Sequence, residues 1–350
     1  WTTGACATAA AKAAYTAHLT GAFPDPVQIT LPKGETPSFA LTREGKTENG
    51  AFSAIIKDAG DDPDVTHGAL IRVDIAAANP GDGVIFRAGD GVGTVTRDGL
   101  PLPVGEPAIN PIPRKMIQQA IDETAATHGG TGDVIVTVSV ENGAALAKQT
   151  WNPRLGILGG ISILGTTGVV IPYSCAAWIE SIHRGIDVAR AGSTPLIAGC
   201  TGKTSEEKTQ ELLGLPDHSM IDMGDFAGGM LKYLRRHPIP RVVIGGGFAK
   251  ISKLAEGNLD LHSGRSQVDF TWLADVAHEL GASKEVATQI EGANTAAEAL
   301  SIATTAKLDL APEIARRAQA VARYTVGAAE IEIDVFVYDR SGNLVGRSDA

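Results

Sequence analysis

Glycine-rich turns in the second half of the chain have the composition of ligand-binding loops. In GCTGKTSE (199–206) an apolar run ends, two glycines let backbone approach a ligand, and Thr204 or Ser205 can cap a following helix. About 20 residues on, Asp222 ends the next apolar run, where a carboxylate can accept both hydroxyls of a ribose. That pairing points to a nucleoside cofactor, with Gly199, Thr201, Gly202 and Asp222 as its contacts. The Gly-Lys-Thr triplet is not a P-loop, because the glycine required at position 197 is Ile197. Two further turns, GGISILGTTG (159–168) and GGGFAKISKLAEG (245–257), are also poor in bulky side chains, and the latter supplies Gly245 and Gly246. The competing reading is that these glycines only connect strands to helices and that Asp222 is a cap.

A second concentration of chemistry is KDAGDDPDVTHG (57–68), which puts Asp58, Asp61, Asp62, Asp64 and His67 in one turn. It is not a calcium loop, since Pro63 interrupts it and the Asp-x-Asp-x-Asp-Gly pattern is missing. A substrate or proton-transfer role and a solvated acidic turn both remain open. INPIPRKMI (109–117) places Arg114 and Lys115 at a helix start, and WNPRLGI (151–157) does the same for Arg154. Positive charge there opposes the helix dipole, which an anionic ligand explains better than stability does; surface ion pairing is the alternative. His262, in DLHSGR, is an isolated histidine of the kind that is more often structural. There is no Gly-x-Ser-x-Gly elbow, no His-Glu-x-x-His and no Cys nucleophile with a sequence signature, so hydrolase mechanisms lose weight.

These groups need a scaffold. Thr2 and Thr3 can cap an Ala-rich helix through about Ala17. Short β-like stretches follow at 27–31, 39–42, 52–57, 69–75, 83–89 and 92–96, then a helix over 116–128 and the alternating run DVIVTVSV (133–140). Strands with few helices predict a two-layer α+β domain over residues 1–150. From 151 the rhythm becomes strand, loop, helix: helices at 174–191, 205–213 and 225–236 alternate with strands at 194–199, 219–223 and 241–246. That predicts a parallel sheet with helices on both faces, an α/β domain over residues 151–350. Helical periodicity over 271–329 precedes a last strand at 332–339 and a turn at 341–343.

At 350 residues, with 43% hydrophobic and 20% charged residues, the chain is long and apolar enough for two cored domains. The net charge of −10 opposes nucleic acid and anionic membranes as partners unless a cleft is locally basic. Cys6, Cys175 and Cys200 are odd in number and far apart, which excludes a disulfide framework and predicts a cytoplasmic setting. The uncharged run 155–179 is broken by glycines and Pro172 and is a poor membrane span. A start at Trp1 without Met predicts that residues precede it.

The strings TTGACATAAAKAA (2–14), KDAGDDPDVTHG (57–68), GVGTVTRDGL (91–100), VGEPAINPIPRKMI (104–117), NPRLGILGGISILGTTGVV (152–170) and LHSGR (261–265) closely resemble the CbiD family. Its members are cobalt-precorrin-5B C(1)-methyltransferases of cobalamin biosynthesis. The resemblance runs in order along nearly the whole chain. It implies a two-layer N-terminal domain joined to a three-layer Rossmann-like domain, S-adenosyl-L-methionine as methyl donor and a carboxylate-rich tetrapyrrole as acceptor. It further implies local cations for the acceptor, for which Lys57, Arg114, Lys115 and Arg154 are candidates with His262, and helix-start amides at Thr3 and Gly4 for another carboxylate. Asp62, Asp61 or His67 is the candidate base, Asp62 first because it is central. A homodimer is the default assembly. The chain departs from the family pattern at Gly199–Lys203, where many relatives carry a Pro-Gly-Asn-type loop, and at GGGFAK (245–250), where Gly-Gly-His-x-Gly-Lys is common.

Overall fold

The structure, a computed structural model, describes residues 1–348 as a mixed α/β protein. It divides into two compact units, Trp1–Ser174 and Cys175 onward. The boundary therefore falls later than the expected break after residue 150. Residues 151–174 belong with the first unit because their apolar side chains are buried there: Ile161 and Ile163 are 2% and 0% exposed in its core. Their backbone is also bonded there, with Ile161 N–H donating to Gly91 O (3.0 Å) and Ile163 N–H to Ala108 O (2.8 Å). No helix among the described residues is long and apolar enough to cross a membrane.

The first unit begins with α1 (Thr3–Thr20), capped by Thr2, whose hydroxyl accepts from Ala5 N–H, and closed by left-handed Gly21. Its alanines are buried on nearly every side, and their small size allows sheet and helix to approach closely. Strands β1 (Val27–Gln28) and β2 (Ser38–Phe39) form a short ribbon. The main sheet runs β3-β4-β5-β8-β6, built from β3 (Arg43–Thr47), β4 (Gly50–Ile56), β5 (Leu70–Ala77), β6 (Val84–Ala88) and β8 (Val134–Val140). Pairing Ile71 with Val140, Val73 with Val138 and Ile75 with Val136 gathers one apolar face. That face packs on α1 and α2 (Pro111–His128). β7 (Thr94–Val95) pairs with β9 (Ile157–Leu158), and α3 (Gly143–Ala147) follows β8.

Three local expectations shift. The edge strand β3, REGKT, has no apolar alternation and exists through pairing with β4. α2 begins at Pro111 rather than at 116, since a proline in the first turn lacks only an amide that has no helical partner. Only two residues of 27–31 are a strand.

The second unit carries a sheet of order β11-β10-β12-β13-β14 from β10 (Leu196–Cys200), β11 (Met220–Asp222), β12 (Arg241–Gly247), β13 (Glu332–Tyr338) and β14 (Leu344–Arg347). All neighbours are parallel except β14 on β13. One face shares a single buried core with α4 (Cys175–Ala191), α6 (Ala227–Leu234), α7 (Phe248–Glu256), α8 (Phe270–Glu279), α9 (Lys284–Glu291), α10 (Ala296–Thr305) and α11 (Leu310–Val326). The other buries Cys200, Val243 and Phe336, with α5 (Lys203–Leu213) reaching it through Leu213. Buried on both faces, β12 reads as a continuous apolar and glycine run, as a central parallel strand must. The expected loop at 245–257 is largely α7, which starts directly after β12.

Candidate functional site

In the second unit the chain leaves β10, passes through α5 to β11 on one side, and later lays β12 on the other side of β10. The turns after β10 and β12 therefore open together at the carboxyl ends of adjacent strands, where ligands bind in such sheets. Gly202 caps α5 and Gly247 caps α7, and a Cβ on either would meet nothing within 4 Å. The other expected glycine contacts are packing glycines. A Cβ on Gly199 would sit 2.3 Å from Met230 Sδ, on Gly245 2.4 Å from Thr209 Oγ1, and on Gly246 2.6 Å from Ile251 Cδ1. All three are buried, so helix packing rather than a ligand demands them. Thr201 is buried too, and its backbone joins the two turns, its N–H donating to Gly245 O at 2.9 Å.

Lys250, in the first turns of α7, was not singled out by sequence. Its ammonium donates to Thr201 O (2.7 Å) and lies 2.9 Å from Asp225 Oδ1, tying the β10, β11 and β12 ends together. The only signal was a lysine near a helix N-terminus, the pattern already noted for Arg114 and Lys115. Asp222 ends β11 beside Cys200, half-buried, and its carbonyl accepts from the Trp178 indole N–H at 3.1 Å. His262 forms a self-contained turn: its Nδ1 accepts from Gly264 N–H (3.0 Å), which leaves the ring proton on Nε2. The buried Lys253 holds that turn by donating to Leu261 O and Ser266 O, so LHSGR is accounted for structurally.

The glycine turn at 159–168 belongs to the first unit, not to this sheet, and closes the start of α1. Gly4 N–H donates to Leu164 O (2.9 Å), Thr2 N–H to Gly168 O (3.0 Å), and Leu164 N–H to Thr3 Oγ1 (2.9 Å). The Gly4 amide and the Thr3 hydroxyl are thus committed to this turn, which takes the Gly4 amide away from the expected ligand carboxylate. A Cβ on Gly4 would lie 2.7 Å from Pro113 Cγ, which explains the glycine. Motifs from four parts of the chain meet here: α1, the 57–68 turn, the start of α2 and 161–173.

Within the acidic turn, Asp62 Oδ1 accepts from Tyr173 N–H (2.9 Å), holding a tyrosine whose φ is +55°. His67 Nδ1 accepts from Ala59 N–H (3.1 Å), so its neutral ring presents a donor at Nε2 rather than a basic lone pair. Asp61 is exposed. Lys57, expected to meet an acceptor, is 1% exposed and paired with Asp64 at 2.7 Å. Burial alone raises the Asp64 carboxyl pKa, but the bonds from Lys57 and Thr66 outweigh it and hold that group below its ordinary range. Arg114 is also used internally, bonded to Glu106 (2.8 Å), Ile109 O and Pro107 O. Lys115 is exposed. Arg154 lies in a turn, not at a helix start, with its guanidinium 5.8 Å from the Trp151 ring centre. Grooves of about 440 and 270 Å³ share Arg43, Leu70, Glu141 and Asn142, and the smaller takes in His67.

Comparison with known proteins gives a consistent picture. The family model described as CbiD matches residues 1–172, and the model described as CbiD, C-terminal domain, matches residues 260–349. A protein of Brucella anthropi named cobalt-precorrin-5B C(1)-methyltransferase is 57% identical over 347 residues, 99% of this chain and 94% of its own length. Proteins of the same name from Brucella suis and Brucella ovis are 57% and 56% identical over the same shares. A crystal structure of a cobalamin biosynthesis protein (cbiD) from Archaeoglobus fulgidus is 26% identical with a TM-score of 0.41, covering 75% of this chain and 81% of that one.

Proposed function

The chain belongs to the CbiD family, and from that premise we infer that it is the enzyme that methylates C1 of cobalt-precorrin-5B in cobalamin biosynthesis. The observation that carries this is the 57% identity over 99% of the chain to proteins of that name.

We read the second unit as a Rossmann-like fold and its adjoining strand ends as the donor site, with S-adenosyl-L-methionine as donor. The residues fit: open backbone at Gly202 and Gly247, and a carboxylate on Asp222 beside them on the neighbouring strand. When bound, that donor supplies an electrophilic sulfonium methyl, so no protein nucleophile is required. The protein's work is to orient and to exclude water, which is worth several kcal/mol when reacting atoms are held in line. Asp222 is assigned the ribose hydroxyls and Lys250 the rigidity of the three turns. The acceptor is assigned to the first unit, with Lys115 and Arg154 as cations for its carboxylates. In the 57–68 turn, Asp61 is the carboxylate assigned to any proton lost from the ring, because Asp62 anchors Tyr173 and the His67 tautomer is fixed. Three free cysteines, two wholly buried, accord with a reducing cytoplasm, and a homodimer is the assembly we assign.

The test is incubation with S-adenosylmethionine and cobalt-precorrin-5B, read by mass spectrometry. A product heavier by one methyl group is expected, and Asp222→Asn is expected to raise the donor KM more than it lowers kcat. An unmodified corrinoid after prolonged incubation would overturn the reading.

A further inference from the structure

We propose that the acceptor lies on the outer face of the first unit's sheet, with one of its carboxylates bound at Arg43. The proposal rests on the reading of the acceptor as cobalt-precorrin-5B and adds to it the place where the ring is held.

Strand register builds this face. Arg43, Ala54, Arg72 and Ser139 stand side by side across β3, β4, β5 and β8. Along their strands they alternate with residues packed on α1 and α2, such as Ile71, Val73 and Val140, so they belong to the opposite face. The next row on that face pairs Ile56 with Leu70 and continues to Glu141, whose N–H donates to Leu70 O at 3.1 Å. Small residues beside these rows, among them Gly143 and Ala144 of α3, leave the groove of about 440 Å³. That volume lies within the roughly 300–1,000 Å³ of small-molecule sites.

The two arginines differ in what they have left to give. Arg72 is spent, donating to both Asp74 oxygens at 2.8 and 2.6 Å with its guanidinium 3.8 Å from the Phe52 ring centre. Arg43 is 63% exposed, and its ion pair is with Glu141 at 3.7 Å, itself 54% exposed. That separation is too long for a hydrogen bond, and a surface pair of this kind holds little free energy. A ligand carboxylate can therefore replace Glu141 at small cost and gain the forked geometry that a guanidinium offers.

Position supplies the ligand class. Arg43 lines both grooves and so stands where they meet, and the smaller groove adds His67, whose neutral ring keeps its proton on Nε2 as a donor. Asp90 lines the larger groove only, so like-charge repulsion directs an anionic group to the Arg43 end. Apolar surface from Leu70, Ile56 and Ala144 beside one exchangeable cation suits a flat ring edged with carboxylates, which is the chemistry of the acceptor. The face also adjoins the carboxylate assigned to proton removal, since β4 runs from Ile56 directly into the turn that carries Asp61.

The full chain is titrated anaerobically with cobalt-precorrin-5B, with and without S-adenosylhomocysteine, following the visible absorption of the pigment. Wild type is compared with Arg43→Gln, Glu141→Gln, Ala144→Trp and, as a cation removed from an exposed turn of the same unit, Lys33→Gln. Affinity is expected to fall about fivefold or more in Arg43→Gln and about tenfold in Ala144→Trp, which fills the groove, with melting temperatures nearly unchanged. Glu141→Gln removes the competing carboxylate and is expected to tighten binding by about twofold, while Lys33→Gln should match the wild type. Equal losses in Arg43→Gln and Glu141→Gln would make the pair merely structural and overturn the proposal. Wild-type affinity in both Arg43→Gln and Ala144→Trp, or a loss in Lys33→Gln as large as in Arg43→Gln, overturns it as well. Failure of the wild type to bind the pigment under either condition overturns the acceptor reading itself, whereas binding that ignores these positions leaves that reading intact and removes only this site.

Discussion

The ammonium of Lys57 lies 2.7 Å from Asp64 Oδ2 with 1% of the lysine side chain exposed, and the same carboxylate accepts from the Thr66 amide and hydroxyl. A lysine taken out of water is stable only while paired. Asp64→Ala is therefore expected to cost about 3–5 kcal/mol, and the double variant Lys57→Met, Asp64→Leu to recover most of it. Chemical denaturation of the three proteins measures both; a mild effect of Asp64→Ala would mean that water reaches Lys57.

The same pair sets a pH dependence. Although burial opposes it, the Lys57 and Thr66 bonds lower the Asp64 pKa in the folded state. A folded pKa below the unfolded one gives stability that is present above the unfolded value and lost as pH falls through the folded value. Stability should decline as pH drops below about 4, and the decline should be shallower in Asp64→Asn. Parallel curves for the two proteins would remove Asp64 from the account.

The glycines at the strand ends should separate into two kinds. Gly245→Ala forces a Cβ to 2.4 Å from Thr209 Oγ1 and should destabilise by about 1–3 kcal/mol. Gly202 has extended backbone, φ 169°, and open space, so Gly202→Val should leave the melting temperature nearly unchanged yet weaken S-adenosylhomocysteine binding by about tenfold. Binding that is indifferent to Gly202→Val would take the α5 start out of the donor site.

Asp61 and Asp62 should also part. Asn at position 62 can still accept from Tyr173 N–H, so Asp62→Asn should lower kcat by less than about tenfold, while Asp61→Asn, which removes a proton acceptor, should lower it by about a hundredfold or more. Single-turnover rates with both substrates saturating decide the matter, and the reverse order would restore Asp62 as the base.

Thiol chemistry should single out Cys175. Burial pushes the Cys6 and Cys200 thiols up to about 12, and both are 0% exposed, whereas Cys175 is half-buried beside Arg265. A thiol reagent at pH 8 should titrate one cysteine in the native protein and all three after denaturation. Rapid native modification of Cys200 would show that the β10 end opens.

Local pattern and composition determined much of this molecule. The alternation in DVIVTVSV predicted β8, the alanine run with threonine before it predicted α1, and strand–helix alternation from about residue 151 predicted the parallel sheet, whose strands begin only at Leu196. These are legible because they rest on side-chain period and capping, which act over a few residues. Asp222 at a strand end was legible for the same reason. Tertiary structure alone decided the rest. Nothing within 152–173 says that Ile161 and Ile163 are buried with Val92 and Ile109 of the first unit, or that Asp62 holds Tyr173 across more than a hundred residues. Nor does a string of glycines show that Gly245 must admit Thr209 while Gly202 faces open space. Lys57 and Arg114 read as free cations and are spent on Asp64 and Glu106. The physical reason is common to all of these: a charge or a missing Cβ takes its meaning from what lies within about 4 Å, and for these residues packing chose that neighbour.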